Sequence, residues 1–186
     1  FGGVDIVVNC AGLAAGKPLT QTTLDDWNLM QNVLVKGQFL MSREGAGIML
    51  KQGLGGDIVN IASKNGLFAG PKNIAYGTAK GAQVHMSRLL AAELAPEKIR
   101  VNVVNPDAVI EGSKIWEGKW AEARAKAYGI TVEELPAFYA KRTLMNEIIS
   151  TADIANGVFA FTGGQLSKST GNILNVDGGI AATFPR

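Results

Sequence analysis

Ser63, Tyr76 and Lys80 are the residues whose types and spacing could move a proton. Tyr76 and Lys80 stand four residues apart in Ala75-Tyr76-Gly77-Thr78-Ala79-Lys80, and Ser63 precedes the tyrosine by thirteen. The stretch from Ile74 to Leu94 has no proline and carries apolar and small residues at helical spacing, which places positions 76 and 80 one turn apart on one face. A phenol with a reference pKa of about 10 is a poor base at neutral pH. An ammonium about 4 Å away, at an effective dielectric of ~20, would favour the phenolate by roughly 4 kcal/mol, or about three pKa units. Tyr76 could then give or take a proton while Ser63 holds the reacting oxygen. Alone, Tyr-x-x-x-Lys is more often a solvated pair on an ordinary helix, so the elements around it decide.

Those elements alternate. Asp57-Ile58-Val59-Asn60-Ile61-Ala62-Ser63 is a short apolar run ending in a serine, the form of a buried parallel strand whose carboxyl end delivers a side chain to a crevice. Further strands are expected near 5–8, 99–104 and 173–176, separated by helical stretches, which is the α/β pattern. A long helical region runs from Leu24 to Gln52, with Thr23 as its cap and Leu24, Trp27, Leu34 and Phe39 as much of its apolar surface. Gly45 and Gly47 weaken its later part, and Gly53-Leu54-Gly55-Gly56 reads as its stop. The next helix, 74–95, carries Ala75, Gly77, Ala79, Gly81 and Ala82, small enough for close helix contact.

Residues 107–150 are too long for an ordinary connection. Trp120 to Ala127 reads as a helix, and Thr131-Val132-Glu133-Glu134 as a capping box opening another through about Lys141. Trp116, Trp120, Tyr128, Phe138 and Tyr139 could wall a pocket or simply pack, and Arg124 or Arg142 could bind an anionic group.

Composition narrows the function classes. The 186 residues are 47% hydrophobic and 18% charged, below the roughly 25% charged residues usual in soluble domains, so less of the surface is meant for water. The net charge of +2 comes from scattered basic residues, which gives no electrostatic case for nucleic acid. No apolar stretch approaches the roughly 20 residues of a membrane span, and a cytoplasmic protein is expected. Cys10 is the only cysteine and His85 the only histidine, which excludes an intrachain disulfide and offers no metal site; His85 is expected to pack or lie at an interface.

Four stretches resemble the short-chain dehydrogenase/reductase family along nearly the whole chain. Asp5-Ile6-Val7-Val8-Asn9-Cys10-Ala11-Gly12 is similar to the family's strand and N-N-A-G turn, with Cys10 in place of the second asparagine. Ser63, Tyr76 and Lys80 match its catalytic serine, tyrosine and lysine. Ile99-Arg100-Val101-Asn102-Val103-Val104-Asn105-Pro106 is similar to the strand before its P-G turn, and Thr170 to Gly179 to its last strand and closing turn. The resemblance implies a Rossmann-like doubly wound parallel sheet, present from the fourth strand onward, since no counterpart of the G-x-x-x-G-x-G phosphate turn precedes Phe1. On this reading residues 1–186 are the C-terminal part of one dehydrogenase domain, with 107–150 covering the substrate.

It also implies NAD or NADP as cofactor, NAD favoured. Asn9, Ala11, Gly12, Tyr76, Lys80, Pro106, Asp107 and Val109 would contact the cofactor, and the substrate would be a small hydroxy or aldehyde compound. A homo-oligomer dimerising through the two long helices is implied as well. Asn105 to Trp116 and the ending Ala181-Ala182-Thr183-Phe184-Pro185-Arg186 resemble, more narrowly, the dehydrogenase domain of bifunctional rhamnulose-1-phosphate aldolase/lactaldehyde dehydrogenases, which implies lactaldehyde as substrate and an aldolase domain in the parent protein. From the missing phosphate turn, a catalytically silent assembly module is the alternative.

Three positions depart from the family. Leu34 stands where its active-site asparagine is expected, and Asn32 is about 200° round the helix from it. Asp107 replaces the glycine of the P-G turn. Glu111 stands where a threonine often meets the cofactor, with Ser113 nearby.

Overall fold

The apolar runs around Val7, Ile58, Val101 and Leu174 form four parallel strands, β1 (Ile6–Asn9), β2 (Gly56–Ile61), β3 (Ile99–Pro106) and β6 (Ile173–Val176). In this computed structural model, which describes residues 2–184, they lie in the order β1-β2-β3-β6. β3 is buried along nearly its whole length, as expected of a central strand covered on both faces. β1 lies at one edge, paired only with β2 among the described residues, and Ile6 and Val8 on it are about half exposed. The sheet is thus α/β and parallel, as expected.

Thr23 opens the long helical region through a capping box with Asp26. The region runs unbroken as α1 (Leu24–Met30), a π-helical segment (Gln31–Lys36) and α2 (Gly37–Gln52), and stops at Gly53 in the left-handed conformation, φ 66°. Its buried surface differs from the expectation. Leu24 and Phe39 are exposed, while Met30, Leu34, Ala46 and Met49 face inward. Gly45 does not weaken the helix so much as fit it to the sheet: a Cβ there would lie 2.5 Å from Val7 Cγ2. α2 can pack on β1 only with hydrogen at that position.

α3 (Ile74–Leu94) crosses the same face of the sheet. Ala75 and Ala79 pack against Met30 and Leu34, the close helix contact expected of them. Gly77 and Gly81 serve another contact, since added Cβ atoms would meet the carbonyl oxygens of Asn65 and Gly66 at 3.4 and 3.6 Å.

Between β3 and β6 lie β4 (Val109–Glu111), α4 (Lys119–Tyr128), α5 (Leu135–Ala140), β5 (Ile149–Ser150) and α6 (Thr151–Thr162). β4 and β5 form a separate two-stranded parallel sheet. Glu134 accepts from the Thr131 N–H at 2.8 Å, so one half of the expected capping box forms, and α5 starts one residue later. Trp116, Tyr128, Phe138 and Tyr139 pack on one another, Tyr128 stacking on Phe138 at 4.4 Å between ring centres. Of the two readings open for these aromatics, packing is the one they adopt here. The final turn is tied by Asp177, which accepts from the Gly179 N–H at 2.9 Å and the Thr183 hydroxyl at 3.0 Å. Of the Ala181–Arg186 ending, the last two residues lie outside the described residues.

Candidate active site

Ser63 leaves β2 through Ala62 and caps a short 3₁₀ turn, Lys64–Gly66, its hydroxyl accepting from the Asn65 N–H at 3.3 Å. That turn presses on α3 at the Lys80 level, where a Cβ on Gly66 would meet the Lys80 carbonyl oxygen at 2.8 Å. Strand end and helix are thereby held together. The Ser63 hydroxyl lies close enough to the Tyr76 phenol to act on its ionisation, and the Lys80 ammonium lies 5.8 Å from the centre of the Tyr76 ring. The three residues therefore converge at the carboxyl ends of the strands.

The electrostatics correct the sequence-based expectation. The Tyr76 phenol is raised above its ordinary pKa, first by burial, with the Asp107 carboxylate adding to the rise and the Ser63 hydroxyl opposing it. Lys80 does not lower it as expected. Its ammonium lies 5.8 Å from the ring centre and donates to the Ile61 carbonyl at 3.0 Å. Burial in turn lowers the Lys80 pKa to about 8. The site as it stands thus holds a phenol in its protonated form beside a lysine that loses its proton more readily than usual.

A pH dependence follows. Lys80 has a depressed pKa in the folded chain, so between about 8 and its ordinary value the unfolded state binds more protons, and stability from this group rises with pH across that window. Melting curves of the wild type and Lys80→Met, compared from pH 7 to 10, are expected to show the wild type gaining on the variant as pH rises. A constant difference would count against the buried ammonium.

Leu34 lies in the π-helical segment, fully buried against Met30, Ala75 and Ala79. π turns recur at functional sites because they redirect carbonyl groups. Here the Leu34 carbonyl accepts from Gln83 Nε2 at 2.8 Å, so it is already engaged by α3. Asn32 is exposed, on the other side of the helix, as its angular position predicts. Leu34→Asn is expected to lower stability by about 1–3 kcal/mol, the usual cost of a buried amide without partners. Denaturant melts check this; an unchanged midpoint with faster turnover would show a vacant relay position.

The residues assigned to a cofactor fall into two groups. Cys10, Ala11 and Gly12 follow β1 as an exposed run, and a Cβ on Gly12 would find its nearest neighbours at 3.8 Å, which leaves room for a ligand to approach the backbone. The buried Lys80 lies close enough to Cys10 to feel its charge, so this run and the lysine border the same space. Pro106 ends β3, and Val109 is held in β4 by pairing with Ile149. Asn9 and Asp107 are engaged inside the fold. The Asn9 amide donates to Asn60 Oδ1 at 2.7 Å and to Ser42 Oγ at 3.1 Å, tying β1 to β2 and α2. The Asp107 carboxylate pairs with Lys64 at 2.9 Å and faces Arg142 at 3.6 Å. Glu111 is exposed on β4 and His85 is exposed on α3.

Sequence reasoning passed over Lys64 and Gln83. A lysine directly after Ser63, at the end of a buried strand, was the available signal, because a charge there needs a partner. Nothing in the local sequence marks Gln83, whose role depends on a carbonyl presented by another helix.

A family profile described as Enoyl-(Acyl carrier protein) reductase matches residues 1–181. The uncharacterized oxidoreductase YuxG of Bacillus subtilis (strain 168) is 45% identical over 186 residues, all of this chain but 27% of that protein. The chain thus spans about a quarter of the length of that curated relative. Among solved structures, sorbitol-6-phosphate 2-dehydrogenase SrlD from Erwinia amylovora superposes with a TM-score of 0.86 at 30% identity, covering 97% of this chain and 70% of that one. ElxO with NADP bound superposes with a TM-score of 0.81 at 27% identity, covering 97% and 68%. With the serine, tyrosine and lysine brought together at the strand ends of a parallel sheet, these matches establish that the chain belongs to the short-chain dehydrogenase/reductase family.

Proposed function

We propose that this chain carries the proton-transfer site of a nicotinamide-dependent oxidoreductase acting on a small hydroxy or aldehyde compound. The convergence of Ser63, Tyr76 and Lys80 carries the reading. Ser63 would hold the substrate oxygen, and Tyr76 would give that oxygen a proton in reduction or take one in oxidation. Lys80 would hold the ribose hydroxyls. A bound nicotinamide would supply the hydride acceptor or donor. Ala11, Gly12, Pro106 and Val109, with Tyr76 and Lys80, are the residues proposed to hold it; Asn9 would act there only by shaping the strand end. NAD is favoured over NADP.

Lactaldehyde is the substrate that this narrower resemblance suggests. Its hydrate would present the hydroxyl that Tyr76 requires, and an aldolase domain would accompany it in the parent protein. Residues 107–150 would cover the substrate. Self-association is proposed on the apolar residues exposed along α2, including Phe39, Met41 and Leu50. No helix of the described residues is long and apolar enough to cross a membrane, and the setting proposed is cytoplasmic.

The test is hydride transfer. The purified chain, and the longer protein that contains it, would be given NAD or NADP with lactaldehyde, propane-1,2-diol and a short polyol, and reduced nicotinamide followed by absorbance. Reduction of cofactor by at least one of these in the longer protein is expected. None with any of them would overturn the substrate class.

A further inference from the structure

The segment between β3 and β6 gathers hydrogen-bond donors and cations that lack acceptors. Tyr139, on α5, is buried at its centre. The Arg142 guanidinium lies 4.8 Å above its ring, and Trp116 meets it edge-on at 4.8 Å between ring centres. Arg124 lies 4.5 Å above Trp120, close enough that both guanidiniums act electrostatically on the Tyr139 hydroxyl. Among the described residues, the indole N–H groups of Trp116 and Trp120 are buried and have no acceptor. Arg124 has no carboxylate within ion-pair distance there either, and Arg142 reaches only Asp107, at 3.6 Å.

Asp107 does not neutralise this set, because its other oxygen is bound by Lys64 at 2.9 Å and both side chains are nine-tenths out of water. The pair leaves the two guanidiniums as excess positive charge, with Arg142 held between Asp107 and the Tyr139 ring. The same carboxylate acts on the Tyr76 phenol, so the cluster adjoins the proton-transfer centre. Donors buried without acceptors are uncommon in folded proteins because each loses its water without replacement. A ligand rich in oxygen acceptors and bearing negative charge would supply what is missing, and guanidinium groups suit carboxylate and phosphate geometry.

The geometry points to an oxyanion subsite, built by Arg142 and Arg124 on the substrate side of Tyr76, that takes a carboxylate or phosphate carried by the hydroxy compound or by its oxidation product. This deepens the oxidoreductase reading and rests on it for the identity of the ligand. Lactaldehyde is uncharged, and on this proposal its oxidised product, which bears a carboxylate, would be held more firmly than the substrate.

The experiment is an NMR titration of the whole chain with lactate, glycerol 3-phosphate and neutral propane-1,2-diol, with NAD and without it. Wild type would be compared with Arg142→Met, Arg124→Met and Arg142→Lys, with circular dichroism confirming that each variant is folded. At least one anion is expected to bind about tenfold more tightly than the diol, as charge-assisted hydrogen bonds allow. Which anion does so distinguishes carboxylate from phosphate. Arg142→Met or Arg124→Met should erase that preference, and Arg142→Lys should restore part of it. Equal binding of anions and diol by the wild type would overturn the subsite, as would a preference that survives both methionine substitutions. Binding is read without turnover, so an anion preference in a protein that transfers no hydride would sustain the subsite and sink only the oxidoreductase reading.

Discussion

Replacing Tyr76 by phenylalanine is expected to lower turnover by at least about a hundredfold, the usual contribution of a positioned general acid or base, while cofactor affinity changes little. The substitution removes one oxygen and keeps the ring, so contacts with Ala75, Ala79 and Leu34 persist and the helix stays in place. The Ser63 hydroxyl keeps its bond from the Asn65 N–H. Steady-state rates and a nicotinamide titration on the same preparation separate the chemical role from a structural one. Near-normal turnover would remove Tyr76 from the mechanism. A matching loss of cofactor affinity would recast it as a binding residue.

The second large effect concerns the pair of Lys64 and Asp107. Lys64→Met is expected to destabilise the fold by about 3–5 kcal/mol, because the carboxylate would remain buried with only the more distant Arg142 opposite it. Asp107→Asn should cost a similar amount by stranding the ammonium. The double substitution Lys64→Met with Asp107→Leu should recover most of the loss, since two apolar side chains need no compensation. Urea unfolding of the two single variants and the double variant would decide. Single variants with unchanged midpoints would mean that water reaches the pair and screens it.

The parts of this protein that were legible in its sequence are those written within a few residues. The Thr23–Asp26 cap, the stop at Gly53 and the shared face of Tyr76 and Lys80 follow from local rules of helix geometry. What stayed hidden depends on partners distant in sequence. Gly45 reads as a weak helix residue until Val7 is placed against it, and the partner that Lys64 needs is known only once Asp107 is set opposite. The sign of the Tyr76 shift was misjudged for the same reason. Spacing puts Lys80 on the right face, but only the fold shows its ammonium held by the Ile61 carbonyl and the phenol under burial. Leu24 and Phe39 mislead in the opposite sense, since apolar character alone does not tell an inward position from an outward one.

The strand order carries a kinetic consequence. β6 pairs with β3 across a long separation, Asn105 Nδ2 reaching Asn175 Oδ1 at a distance of 70 positions along the chain, and the closing turn is then clasped by Asp177. Docking so late a strand means closing a large loop before its contacts repay the lost entropy, which slows folding. Ser63, Tyr76 and Lys80 can come together earlier, around β2 and α3. The segment after β3, with both arginines, is closed by the pairing of β4 with β5, and its bonds from Leu144 and Met145 to the closing turn form only once β6 has joined. During synthesis the chain would thus acquire its proton-transfer trio first and its means of selecting a substrate last, and a nascent intermediate would hold a reactive centre before it holds any discrimination.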